Sequence, residues 1–222
     1  MVNGSVFSTS MKDNLALFSR FPMKKYPSTE KFKSNVATVT IPGNKKILIG
    51  NWWLRYAHDH EYTGSYANPG SDPNNWIAED KMLAGVDAQN NIDNDIDPIL
   101  LSEPSLPVIV AGDFNSGSHL DWTSRAASLH YGYGPVDFPI SKLMLQNGYA
   151  DSYRIIHPNE VTHPAGTFAA IYGHMQTLRI DYVYYKGPGL KPRFSKIIRT
   201  PPQIDDVWPS DHSAVLTVFE IH

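Results

Sequence analysis

The 222-residue chain contains no cysteine. That absence removes thiolate nucleophiles, disulfides and Cys-based zinc sites, and leaves the redox compartment open. There is also no apolar run near the roughly 18 residues that a membrane span needs. Met1–Phe7 lacks the basic and apolar regions of a secretory signal. The expectation is a soluble protein without stable membrane insertion, of undetermined compartment. Repeats, low-complexity tracts and heptads are missing, as are a Gly-rich phosphate loop, a Gly-x-Ser-x-Gly elbow and a His-Glu-x-x-His helix. The nine histidines form no zinc pattern, and His58 and His60 around Asp59 are a weak signal.

What is present reads as one domain over residues 1–222, because the 17 prolines and 15 glycines are scattered and no linker-like shift interrupts the chain. The net charge of −3 hides an asymmetry. Residues 1–50 sum to +6 and residues 51–122 to −10. The basic segment suits either a phosphate-bearing substrate or a solvated face, whereas the acidic middle argues against a broad nucleic-acid footprint.

Local signals alternate between β-like runs and loops. Leu15–Phe18 is a short apolar run closed by Ser19-Arg20-Phe21-Pro22. Asn35–Ile41 and Lys46–Leu54, joined by Pro42-Gly43-Asn44, predict an antiparallel hairpin. A helix is expected from Trp76 to about Leu100, bounded by Pro98 and Pro104, and a shorter one over Ser141–Asn147 with Gly148 as its stop. Pro107–Ala111 is wholly apolar, Ile180–Tyr185 reads as a strand, and Ala214–Ile221 carries apolar residues on both faces; the first and last are expected to be buried on both sides.

Three clusters carry groups suited to chemistry. Gly112-Asp113-Phe114-Asn115 follows the apolar Pro107–Ala111 run. Asp113 and Asn115 share a side if the strand continues, and a carboxylate with an amide can position water and bind a phosphoryl oxygen. The same residues equally suit an Asx turn. Arg179-Ile180-Asp181-Tyr182 places a carboxylate inside an apolar strand, where it needs a partner: an arginine, a metal or a histidine. Ser210-Asp211-His212 offers a side chain that titrates near neutrality, or else a capped turn. Oxygen-rich ligation would favour Mg²⁺ or Mn²⁺ over zinc.

In this order, Gly-Asp-Phe-Asn, Arg-Ile-Asp-Tyr and Ser-Asp-His resemble the C-terminal half of the endonuclease/exonuclease/phosphatase (deoxyribonuclease I-like) superfamily. Ser19–Pro22, Ser116–Thr123, Asp151–Arg154, His163-Pro164 and Thr167-Phe168 extend the resemblance from about Leu15 to the C-terminus. It implies an α/β (α+β) four-layered sandwich, two packed, mostly antiparallel sheets flanked by helices, in which this chain lacks the N-terminal strands. It implies a metal-dependent hydrolase of phosphate esters, with Mg²⁺ or Mn²⁺ as cofactor. Asp113 would position or activate the water, Asn115 would stabilise the pentacovalent phosphorus, and Asp181 would orient His212. Asp211, with Asp113, would bind metal. The substrate would be a phosphate ester, with nucleic acid or a phospholipid head group as candidates, and the protein a monomer.

Two departures accompany the resemblance. The family's upstream Asn and its Glu metal ligand have no match, since Asn3, Asp13 and Asn14 lack that setting, which leaves Asp59 or Glu61 as replacements. Trp53, in Asn51-Trp52-Trp53-Leu54, stands where many members have a phosphate-contacting histidine. A relative impaired in catalysis that binds phosphorylated ligands or a partner is the alternative. The five tryptophans, Trp52, Trp53, Trp76, Trp122 and Trp208, suit core packing more often than base stacking.

Overall fold

The computed structural model describes residues 6–9, 14–56, 72–168, 178–198 and 210–222. His58, Asp59, His60, Glu61, Asn3, Asp13 and Trp208 lie outside them.

Ten strands and five α-helices are described. β1 (Phe7–Ser8) pairs with β2 (Phe18–Ser19), so only the end of the Leu15–Phe18 run is a strand. β3 (Met23–Tyr26), β4 (Ser34–Ile41) and β5 (Lys45–Trp53) form an antiparallel meander, with the expected hairpin closed at Gly43 and Asn44, both at positive φ. β6 (Val108–Asp113) lies parallel to β5 and antiparallel to β8 (Asp181–Lys186), and β7 (Ala150–Asp151) closes the edge. The order of this mixed sheet is β3-β4-β5-β6-β8-β7.

The period-two alternation of strands sorts its residues into two faces. Val36, Leu48, Trp52, Val108, Val110, Tyr182 and Tyr184 point one way and are all at most 2% exposed. Against them pack the helices between β5 and β6. These are α1 (Pro73–Met82), capped by Asp72, then α2 (Ala84–Asn91), a π-helical turn (Ile92–Ile96) and α3 (Asp97–Ser102). The single helix expected from Trp76 is therefore broken at Leu83, and it continues past Pro98 because proline is tolerated in the first turn of α3. α4 (Pro139–Gln146) joins the same layer through Ile140 and Met144, and Gly148 follows it at φ +78°.

On the opposite face lies the hairpin of β9 (Leu190–Ile198) and β10 (Ala214–Ile221), which meets β8 where the Tyr185 and Phe219 rings stand 5.2 Å apart. α5 (Ser152–Ile156) packs beside β8 and β9. The outcome is the expected α/β architecture of sheets flanked by helices. Among the described residues, the second layer has two strands. β10 corrects the expectation of burial on both sides, for Leu216 and Val218 are 43% and 48% exposed. Its alternating apolar pattern is real, but nothing described packs on that face. In β6, Val108 and Val110 are fully buried and Ile109 and Ala111 partly so.

A buried ion cluster locks three segments together. Arg179, 1% exposed, donates Nε and Nη2 to the two Asp121 oxygens at 2.8 and 2.9 Å, and Nη2 lies 2.7 Å from Asp151 Oδ2. Arg154 Nε adds a 2.6 Å bond to Asp121 Oδ1. Asp151 Oδ1 meanwhile accepts the Tyr153 and Arg154 N–H groups that open α5. Two guanidiniums against two carboxylates leave no net charge, which makes burial tolerable. Burial alone would raise the Asp121 carboxyl, but Arg179 and Arg154 hold it below its ordinary range. Asp121→Asn leaves two buried cations facing one carboxylate. It should cost about 3–5 kcal/mol, read from urea unfolding against wild type.

Candidate active site

The register of the central sheet assembles the site. Trp53 is opposite Asp113, and Asp113 is opposite Asp181, so one row across β5, β6 and β8 carries an indole and two carboxylates on one face. It is the face on which the β9–β10 layer packs, and His212 arrives from the segment entering β10. His212 Nδ1 lies 2.9 Å from Asp181 Oδ2. One ligand atom each from Asp113, Asp181 and His212 fall within 4.8 Å of one another. The partner that Asp181 requires is thus a histidine; Arg179 belongs to the ion cluster instead.

Local backbone explains the motif residues. Gly112 has φ +147°, and a Cβ there would stand 1.9 Å from Trp52 O, so only glycine fits where β6 meets β5. The strand then ends at Asp113. Asn115, at φ +50°, turns away, and its N–H closes an Asx turn on Asp113 Oδ1 at 2.9 Å. The shared side expected for Asp113 and Asn115 is therefore replaced by a bend. Asn115 is 3% exposed, and its Nδ2 donates to Leu54 O at 2.7 Å. Asp113 thus takes part in an Asx turn and faces the cluster at once.

Asp211 is exposed and outside the three-residue group, although its charge reaches His212. Asn14 donates Nδ2 to Phe32 O and is not part of the three-residue group. Two contributors had no assigned role from sequence. Trp53 Nε1 donates to Asp113 Oδ2 at 3.1 Å, so the residue in place of a histidine still presents a hydrogen-bond donor. Thr167, fully buried, accepts the Ile180 and Asp181 N–H groups on Oγ1 at 3.0 and 3.1 Å, while its carbonyl accepts the Ser213 N–H at 2.6 Å. It clamps the segments bearing Asp181 and His212 to each other. Phe168 closes one side of the imidazole, with ring centroids 5.0 Å apart. The Thr167-Phe168 pair was visible as a motif; its action was not, because it lies in tertiary contacts.

Electrostatics push the groups into useful states. Burial, then the Asp181 charge, raises the Asp113 carboxyl from 3.8 to about 7, against the opposing pull of His212, the Asn115 N–H and Trp53. Burial would lower His212, but its hydrogen bond to Asp181 and the charges of Asp181, Asp113 and Asp211 lift it from 6.5 to about 9. Two crowded carboxylates beside an imidazole make an oxygen-rich donor set, and the repulsion felt by Asp113 is what a divalent cation would relieve. The donor chemistry fits Mg²⁺ or Mn²⁺.

The sequence model of the Endonuclease/Exonuclease/phosphatase family matches residues 3–212. The chain belongs to that family. Among curated proteins, the uncharacterized protein F14F9.5 of Caenorhabditis elegans is 32% identical over 129 residues, 51% of this chain and 41% of that protein. The endonuclease/exonuclease/phosphatase from Beutenbergia cavernae is similar in structure, at TM-score 0.52 and 16% identity, over 93% of this chain and 47% of that one. D. rerio TDP2 complexed with single strand DNA product matches at TM-score 0.54 and 15% identity, over 97% of this chain and 77% of that one. At these identities the structural likeness is one of fold. The chain spans less than half the length of the nematode and bacterial relatives. Among the described residues, no helix is long and apolar enough to cross a membrane.

Both raised pKa values make stability in EDTA depend on pH. A raised folded-state value stabilises below the unfolded one and loses that contribution as pH climbs through the folded one. Wild type should lose stability from about pH 3.8 to about 7 through Asp113, and from about 6.5 to about 9 through His212. Urea unfolding across pH 4–9.5 should show the first loss missing in Asp113→Asn and the second missing in His212→Ala. Identical profiles in all three proteins would contradict this electrostatic picture.

Proposed function

We propose that the protein is a hydrolase of phosphate esters, a phosphodiesterase or phosphatase dependent on Mg²⁺ or Mn²⁺. The observation that carries this reading is the Asp113–Asp181–His212 cluster, in a chain of this family that has among its structural neighbours a protein complexed with a single strand DNA product.

Asp113 faces the cluster with a carboxylate that can orient an attacking water and accept its proton. The Trp53 N–H and the Asn115 backbone N–H fix its two oxygens, so the carboxylate holds one orientation. His212 remains protonated up to about pH 9 with Nδ1 held by Asp181, and an imidazolium oriented in this way can donate to a phosphoryl oxygen as charge builds there. Asp113 and Asp181 would hold the cation, with Asp211 as a further carboxylate next to His212. When bound, the cation supplies charge neutralisation on an anionic ester. Asn115 follows Asp113 across the Asx turn; one N–H of its amide is committed to Leu54, and the other is assigned to the phosphoryl group. The substrate is a phosphate ester, nucleic acid or a phospholipid head group among the candidates, acted on by a monomer.

Hydrolysis of bis-p-nitrophenyl phosphate with Mg²⁺ or Mn²⁺ should be abolished by EDTA. Asp113→Asn and His212→Ala should each lower kcat by about 10²–10⁴-fold while circular dichroism stays unchanged. Turnover retained in either variant would sink the assigned roles. Tight binding of phosphate esters by a folded wild type that never turns over would favour the alternative, a binding relative.

A further inference from the structure

Trp53, whose indole N–H bonds Asp113, lines a cleft of about 240 Å³ together with Phe32, Lys33, Leu54, Arg55 and Tyr56. Its aromatic wall is unusual for a surface. Phe32 is 53% exposed, yet its ring stands 5.1 Å from that of Trp53, tilted by 54°. Trp53 is held at both ends, since its backbone N–H donates to Lys33 O at 3.0 Å and its indole N–H donates to Asp113. The wall is therefore continuous with the catalytic carboxylate through a single side chain.

The charged lining is equally fixed. Buried Asp87 accepts from Lys33 Nζ at 2.9 Å, from the Arg55 N–H at 3.1 Å, and from Arg55 Nε and Nη2 at 2.9 Å each. Among the described residues, two cations of the lining, Lys33 and Arg55, thus meet one carboxylate, Asp87. A rigid aromatic face with two cations in its lining, next to a site for phosphate chemistry, matches a flat ring carried on an anion. A choline-type head group would instead look for an uncompensated anionic or cage-like wall, which these cations oppose.

On this basis we propose that the cleft is a subsite for the nucleobase of a nucleotide or single-stranded nucleic-acid substrate, stacked by Phe32 and Trp53, with Arg55 and Lys33 facing the sugar-phosphate. This rests on the hydrolase reading for its catalytic consequence but not for its binding. Stacking on aromatic side chains is tolerant of base identity, so the subsite selects for a base and not for a particular one.

Calorimetry in Mg²⁺ separates the two readings. Thymidine 5′-monophosphate should bind at least about fivefold tighter than deoxyribose 5-phosphate. Phe32→Ala should erase that ratio and Phe32→Tyr should keep it; Phe32 is half-exposed and touches none of the reacting groups, so neither change threatens folding. In turnover, kcat/KM for thymidine 5′-(p-nitrophenyl phosphate) over methyl p-nitrophenyl phosphate should fall by a similar factor in Phe32→Ala, with the methyl ester unaffected. Equal affinity of wild type for the two monophosphates overturns the subsite. So does a ratio unchanged in Phe32→Ala, or phosphocholine binding tighter than the nucleotide. Absence of turnover with the base preference intact would overturn the hydrolase reading alone.

Discussion

Two carboxylates that face each other across one antiparallel strand pair are the constraint on which the other parts depend. Asp113 and Asp181 are register partners, so the sheet itself forces like charges together, and every surrounding device manages the consequence. His212 supplies a counter-charge, the Trp53 and Asn115 N–H groups give Asp113 fixed donors, and Thr167 caps the amide of Asp181. Moving either strand by one residue would turn its carboxylate to the helical side of the sheet, against Trp52 and Tyr182.

The Arg179 cluster secures that register. Arg179 is two residues from Asp181, and its side chain is fixed by Asp121, from the loop after β6, and by Asp151, at the end of β7. Its guanidinium also lies 4.5 Å from the Tyr182 ring centre. Structural charges and those of the candidate site thus sit on neighbouring residues of one segment: the Arg179 set is neutral and buried, while the Asp113–Asp181–His212 set is partly exposed. Such a division lets a protein keep repulsion where chemistry needs it without weakening the scaffold around it.

The elements most legible from sequence are those whose signals are local. The Pro-Gly-Asn turn announces the β4–β5 hairpin, the apolar run before Gly112 announces β6, and Gly148 marks the end of α4. The three clusters could be located because their residue types are unusual beside apolar strands. What stayed hidden depends on distant packing. Asp181 and His212 are 31 residues apart, and their pairing was expected only through the family resemblance, since neither segment names the other by itself. The bend at Asn115 follows from a positive φ that an Asp-Phe-Asn string does not declare. β9 contains Pro192 and alternating charges, which disguise a strand whose one described neighbour is β10, with a register shift facing the proline. β10 misled in the opposite direction, since an alternating apolar pattern reports what a strand could bury and not what covers it.

The parallel pairing of β5 and β6 has a consequence in time. A parallel neighbour cannot be reached by a tight turn, so the chain leaves at Trp53, crosses through the helical layer and returns at Val108. β8 follows some seventy residues after β6, and His212 comes later still. On a ribosome, therefore, the strand with Asp113 emerges long before its partners. Once β8 pairs, the two carboxylates meet with no imidazole between them until synthesis has passed residue 212. A nascent chain holding β6 and β8 but not yet His212 carries the electrostatic burden of the site without its counterweight, which favours docking of β8 and the β9–β10 layer as a single late event.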